Sequence, residues 1–312
     1  MEVIMDSALT ILSQVVMMFV LIAVGFVCYR IGMFTNRANK QISNFVLTIV
    51  TAALILDTYQ TDSNPKLIAN LGICFVLSVL VLFLGVIVSL VLKWKGKNHD
   101  TIATERFGTI YPNSAYMGIP LLLATVGETG VFYASAFFIA FNLMTWTQGV
   151  SLLTGKMDKK LILTAITSPA IISIVIGLPM FLFQIKFPAP VASAVSSLAG
   201  LMTPLSMVVS GVFIAQTNLI KAFTSIRVYI VSFLKLILIP AIVLMILTIL
   251  PLDYEVKLTM LILSAAPCAT GTMLFASRFG GDIETASSVF TVSTILCIIT
   301  IPALIMVSQL LW

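Results

Sequence analysis

Tyr111-Pro112-Asn113-Ser114-Ala115-Tyr116-Met117-Gly118-Ile119-Pro120 interrupts one apolar block of this chain, and Ala265-Ala266-Pro267-Cys268-Ala269-Thr270-Gly271-Thr272 interrupts another. The two blocks lie about half the chain apart, each the fourth long apolar run of its half. Proline and glycine leave backbone polar groups without partners, which hydrocarbon tolerates only where protein or a cavity surrounds them. A matched pair of interruptions in two halves marks the binding site of a secondary transporter.

The surrounding composition requires a membrane. Hydrophobic residues make up 60% of the chain and charged residues 9%, against roughly 45–50% and about 25% in soluble domains. Uncharged apolar runs of spanning length, about 17–25 residues, occur near 8–29, 39–58, 67–92, 101–125, 130–153, 160–185, 191–216, 226–250, 256–277 and 284–311. The longest polar connection runs only from Lys93 to Arg106, so no soluble domain is expected. The first run is flanked by Glu2 and Asp6 rather than by basic residues, unlike a cleavable leader. Cys28, Cys74, Cys268 and Cys297 lack paired spacing and read as small packing residues. His99 is the one histidine, which excludes a histidine metal centre or triad, and no metal or cofactor is expected.

Basic residues give an orientation. With the N-terminus outside, the inner connections collect Arg30, Arg37, Lys40, Lys93, Lys95, Lys97, Arg106, Lys156, Lys159, Lys160, Lys221, Arg227 and Arg278. The outer ones hold Lys66, Lys186 and Lys257. That is a positive-inside bias, with both termini on the extracytoplasmic side of a cytoplasmic membrane. The charges are spread over short loops, so a nucleic-acid surface is not expected. Five spans per half is an odd number, so residues 1–155 and 156–312 are expected to insert as two oppositely oriented repeats. Val126-Gly127-Glu128 follows the first break much as Gly280-Gly281-Asp282 follows the second, and Ser43 to Gln60 loosely matches Ser197 to Gln216.

Pro112 through Leu122 closely resembles the fourth-helix motif of the auxin efflux carrier family, which includes the plant PIN-FORMED carriers and bacterial organic-acid permeases. Ala265 through Pro302 is similar to the family's ninth and tenth helices, and the resemblance extends over all ten spans. It implies an all-α membrane protein of ten transmembrane helices, two inverted five-helix repeats with crossed broken helices 4 and 9, as in bile-acid/sodium symporters. It further implies a scaffold of helices 1, 2, 6 and 7, a moving core, elevator-type alternating access, and a homodimer through the scaffold. Three departures stand out. Ile49-Val50-Thr51-Ala52-Ala53-Leu54 lacks the family's second-helix proline, although Pro204 is kept. Ser168-Pro169-Ala170 replaces the Asn-Pro-Asn of plant carriers, and the long hydrophilic loop shrinks to Gly155 through Lys160. The chain thus looks like a compact bacterial relative that carries small, malate-like carboxylates. The alternative is a cation-coupled carrier of larger amphipathic acids, such as indole or bile-acid derivatives.

Half-helix N-termini at the breaks offer free amides and partial positive charge to an anion. Asn113, Ser114, Cys268, Ala269, Thr270 and Gly271 are the expected substrate-binding residues there, and Pro112, Gly118, Pro120 and Pro267 shape the crossing. Asn113 reads as a ligand donor or as a cap on broken backbone. Asn142, one turn before Trp146, falls by resemblance where plant carriers place a polar residue near substrate; an interhelical hydrogen bond is the other reading. Ser293 and Thr294 are weaker candidates. Lys235, inside a span, either snorkels, makes a structural hydrogen bond, or couples charge to the cargo. Neither break contains Asp or Glu, which favours an anionic cargo over a cation, and no catalytic cluster lies at depth. Single-cysteine labelling in a cysteine-free background checks the orientation: positions near Lys95 and Lys159 should react from the inside only.

Overall fold

A computed structural model describes residues 2–93, 98–156 and 160–312, and every regular element within them is a helix. Lys95, Lys97 and Lys159 of the expected inner loops lie outside the described residues. Among the described residues, seven helical stretches are long and apolar enough to cross a membrane: Leu12–Arg30, Asn36–Thr58, Pro65–Ser89, Glu128–Thr154, Ala189–Gln216, Ile226–Ile249 and Ile283–Leu311. Ser114–Thr125 and Pro169–Leu182 are apolar but shorter. Large apolar side chains such as Val20, Leu80, Val175 and Ile249 are exposed, as a lipid-facing surface requires.

Local chemistry sets the boundaries. α1 (Glu2–Arg30) is followed by α2 (Asn36–Phe45), whose first turn is capped by the Thr35 hydroxyl on the Ala38 amide. α3 (Thr51–Thr58) continues α2, and α4 (Pro65–Ser89) starts behind Asn64, which caps Lys66 and Leu67. α5 (His99–Ile110) begins inside the expected Lys93–Arg106 loop, because Asp100 and the threonines that follow suit a first turn. Next come α6 (Ile119–Thr125), α7 (Glu128–Met144), α8 (Val150–Thr154) and α9 (Lys160–Ile166). The sixth apolar run breaks at Thr167–Ser168, since Pro169 disfavours helix in the residue before it; α10 (Pro169–Leu182) then starts under a Ser168 cap. α11 (Ala189–Ala199) and α12 (Met202–Gln216) are separated at Gly200. The chain ends with α13 (Leu219–Thr224), α14 (Ile226–Phe233), α15 (Ile239–Ile249), α16 (Tyr254–Ala265), α17 (Gly271–Phe279) and α18 (Ile283–Leu311). Gly127 and Gly280, both at positive φ, terminate α6 and α17.

Four π-helical turns widen these helices: Val46–Val50, Ser114–Gly118, Thr145–Gly149 and Leu234–Leu238. Pro120 and Pro240 each stand two residues after such a turn, where a missing N–H and a crowding ring cannot sustain a regular ladder. The carbonyl that Pro120 cannot serve, that of Tyr116, accepts from the Ser206 hydroxyl instead (3.2 Å). Where the second helix lacks the family's proline, it widens at Val46–Val50.

α1 packs along α12 at backbone contact. A Cβ on Gly25 would stand 2.0 Å from the Val208 carbonyl oxygen, and one on Gly211 would stand 1.9 Å from that of Ile22. Small residues at such a seam let helices approach where lipid supplies no hydrophobic drive. α3 packs against α10 and α11, α4 against α5 and α7, and α16 against α7, α15 and α18. Two ion pairs tie the helices around the breaks together. Lys66, second in α4, reaches Asp253 ahead of α16 (2.9 Å). Arg227, second in α14, holds Glu105 of α5 through two bonds of 2.7 and 2.6 Å. Glu105 is 2% exposed, and removing one partner of a buried pair costs about 3–5 kcal/mol. Glu105→Ala should therefore lower unfolding stability by about that much, whereas Lys66→Gln, at an exposed pair, should have far less effect; detergent-phase thermal unfolding measures both.

Candidate functional site

Helix stops at Ile110 and resumes at Ser114; it stops again at Ala265 and resumes at Gly271. The two extended gaps run antiparallel and pair with each other. The Asn113 amide donates to the Pro267 carbonyl at 2.7 Å, and the Ala269 amide donates to the Tyr111 carbonyl at 3.0 Å. Each break thus supplies partners that the other lost, and an orphaned buried polar group would cost about 1–3 kcal/mol. The Cys268 amide is taken up by the Ser293 hydroxyl (3.1 Å). Tyr111, wholly buried, sends its hydroxyl to the Met144 carbonyl (2.8 Å), at the edge of the Thr145–Gly149 π turn.

Against this bridge lies a cavity of about 290 Å³. Asn113, Ser114, Asn142, Ala269, Thr270 and Gly271 all line it, and so does Pro112. Cys268 does not: its thiol faces Gly108, whose Cβ position lies 3.6 Å from Sγ. Pro120 and Pro267 also stand off the wall, and Gly118 lets its turn approach Leu263, since a Cβ there would sit 3.1 Å from Cδ2. Gly271 is not crowded; its Cβ position meets only the Phe275 ring, at 3.9 Å.

Sequence reasoning missed the wall contributed by the second helix, where Asn44, Thr48 and Thr51 face the cavity. Polar residues at i, i+4 and i+7 in an apolar run were the available signal. Aromatic side chains complete the enclosure, with Phe107, Phe138, Phe141, Trp146 and Phe275 on the wall. Ser168 and Pro169 reach it from the break ahead of α10.

The polar groups are unevenly committed. Asn113 is 3% exposed and its Nδ2 has no partner. The backbone amides of Ser114, Ala115, Thr270 and Gly271 donate to no acceptor among the described residues. Five N–H-bearing groups at the bridge are therefore without a partner among the described residues, four of them at half-helix N-termini. Asn142 gives one N–H of Nδ2 to the Phe138 carbonyl (2.8 Å), which leaves its second N–H and Oδ1 without a partner among the described residues. The hydroxyls of Thr51 and Thr145 are bound to carbonyls of their own helices. Among the described residues, no ionisable acid or base lines the cavity.

Lys235 sits in the Leu234–Leu238 π turn, 1% exposed, with Nζ 3.3 Å from the Ser264 carbonyl near the end of α16. It neither lines the cavity nor reaches the surface, and no carboxylate lies within ion-pair distance among the described residues. Thr294 is buried off the wall, and no cluster of metal-ligating side chains occurs among the described residues.

A family model described as "Membrane transport protein" matches residues 10–305. A protein of Rhizobium meliloti (strain 1021) described as "Putative malonate transporter" is 23% identical over 304 residues, covering 92% of each chain.

Because Asn113 Nδ2 has no internal bond to lose, Asn113→Ala should leave folding nearly intact. A hydrogen bond to a charged ligand contributes about 1.5–3 kcal/mol, so affinity for whichever organic acid the wild type binds should fall about tenfold to a hundredfold. Isothermal titration of the purified variant measures this; unchanged affinity would make Asn113 a cap only.

Proposed function

The chain belongs to the membrane transport protein family, the auxin efflux carrier family that its Pro112–Leu122 motif resembles, and we propose that it is a secondary active transporter of small organic acid anions. It is a membrane transporter, not an enzyme. The carrying observation is the cavity at the bridge, where the Asn113 Nδ2 and four backbone amides stand uncommitted and no acidic side chain lines the wall. Such a set stabilises a carboxylate through oriented donors and repels no anion. A cation would find no carboxylate side chain on this wall among the described residues. The cargo class is malate-like and includes malonate, the acid named in its relative of 23% identity.

The proposed architecture is ten spans in two inverted repeats, 1–155 and 156–312, with the fourth and ninth spans broken and crossed. The seven long apolar stretches, the shorter Ser114–Thr125 and Pro169–Leu182, and the mutual pairing of the two breaks support it. Helices 1, 2, 6 and 7 serve as scaffold and dimer interface, and the remaining helices move as an elevator. The Glu105–Arg227 and Lys66–Asp253 pairs favour this division, since both join elements of the proposed moving body. Both termini face outward from the cytoplasmic membrane. Ser114 and Asn142 hold the acid from the two sides of the cavity, and Lys235 compensates its charge from behind the wall.

Aromatic walls give one reason to consider a second reading, a cation-coupled carrier of larger amphipathic acids. Coupling separates the two. With no carboxylate at the site, an ionised acid carries its own charge across, worth about 2.3 kcal/mol per 100 mV. In proteoliposomes, malonate or malate flux should respond to imposed potassium-diffusion potentials or require a counter-anion, with little sodium dependence. Flux that ignores voltage and stops without sodium would favour the second reading.

A further inference from the structure

A second cavity, of about 270 Å³, adjoins the central one and shares Asn44, Thr270 and Gly271 with it. Its outer part is built from Asn36, Asn39 and Lys40 of α2, with Gln216 and Ser277 opposite. Lys40 is the one ionisable side chain on its wall and makes no ion pair among the described residues. Asn39, 3% exposed, stands beside Lys40 on this wall and offers a side-chain amide to it. Asn36 is fixed instead by Tyr29 (2.9 Å) and Gln216 (3.0 Å), which frames the opening.

The same helix connects the two spaces. Asn36, Lys40, Asn44 and Thr48 follow at intervals of four residues and Thr51 comes one turn later, so one polar edge runs from the mouth to the central wall. A single cation at its outer end and hydrogen-bonding groups along its length suit a small anion passing inward. An exposed lysine at the rim raises the local anion concentration, and amides further in replace its water without trapping it.

We propose that this mouth is a separate, low-affinity anion site, in which Lys40 and Asn39 capture a small carboxylate before it reaches the bridge. It rests on the reading of the protein as a carboxylate transporter. Lys40 is not on the central wall, so it acts on approach and not on the turnover step.

Malonate uptake into inside-out membrane vesicles, which present the Lys40 face to the medium under the expected orientation, tests this. At low ionic strength Lys40→Gln should raise the half-saturating malonate concentration about three- to tenfold with the maximal rate retained. The difference should vanish in high salt, where exposed charges are screened, and Lys40→Arg should restore it. Asn39→Leu should raise half-saturation at every salt concentration. In right-side-out vesicles half-saturation should be unchanged in both variants. Wild-type kinetics in Lys40→Gln at low salt, or equal effects from both faces, would overturn the mouth site while leaving the transport reading intact. A wild type that moves no carboxylate would overturn both.

Discussion

The antiparallel contact between Tyr111–Asn113 and Pro267–Ala269 is the constraint on which the rest of the arrangement depends. A helix broken by proline in an apolar surrounding exposes donors and acceptors that no water relieves. One such break is a defect; two breaks that face each other form a two-bond ladder. The neighbouring helices are placed to protect it. Ser293 of α18 takes the Cys268 amide, Ser206 of α12 takes the Tyr116 carbonyl, and Tyr111 anchors its gap to the π turn after α7. The bridge therefore orders residues from distant parts of the chain around one point.

The repair is incomplete on one side, and this gives the cavity its chemistry. Pairing consumes the Asn113 and Ala269 amides but leaves the first turns of the resumed helices unbonded. Their N–H groups and the Asn113 Nδ2 make an electropositive end without a formal charge. Lys235 lies beside α16, its Nζ donating to the Ser264 carbonyl. A buried lysine without a carboxylate is costly in a low-dielectric interior.

Two kinds of packing hold the molecule. Around the breaks, helices are joined by ion pairs and hydroxyls, among them Glu105–Arg227, the bond from the Thr101 hydroxyl to the Asp282 carboxylate, and that from the Asp282 amide to the Thr104 hydroxyl. Between α1 and α12 the seam instead consists of glycines at backbone contact, with no charged partner at Gly25 or Gly211. Hydroxyls also join the second helix and α12 to the helices around the breaks, as Tyr116 does with Ser43 and Ser206 and Tyr59 does with Ser135.

Much of this was legible in the linear chain, because hydrocarbon punishes polarity so strongly that composition alone dictates apolar helices and makes Pro112 and Pro267 conspicuous. The family, the two breaks and six residues of the cavity wall followed from those segments. Other features depend on distance. Whether Cys268 faces ligand or protein is set by Gly108 across the crossing, and whether Lys235 snorkels is set by the helices that enclose it. The breaks at Thr167–Ser168 and Gly200 and the widening at Val46–Val50 subdivide runs that hydropathy reads as continuous. The contribution of Asn44, Thr48 and Thr51 required knowing which face of the second helix meets the bridge. Sequence determined where the backbone had to break; tertiary structure decided that the two breaks satisfy each other, and so which donors were left over for a ligand.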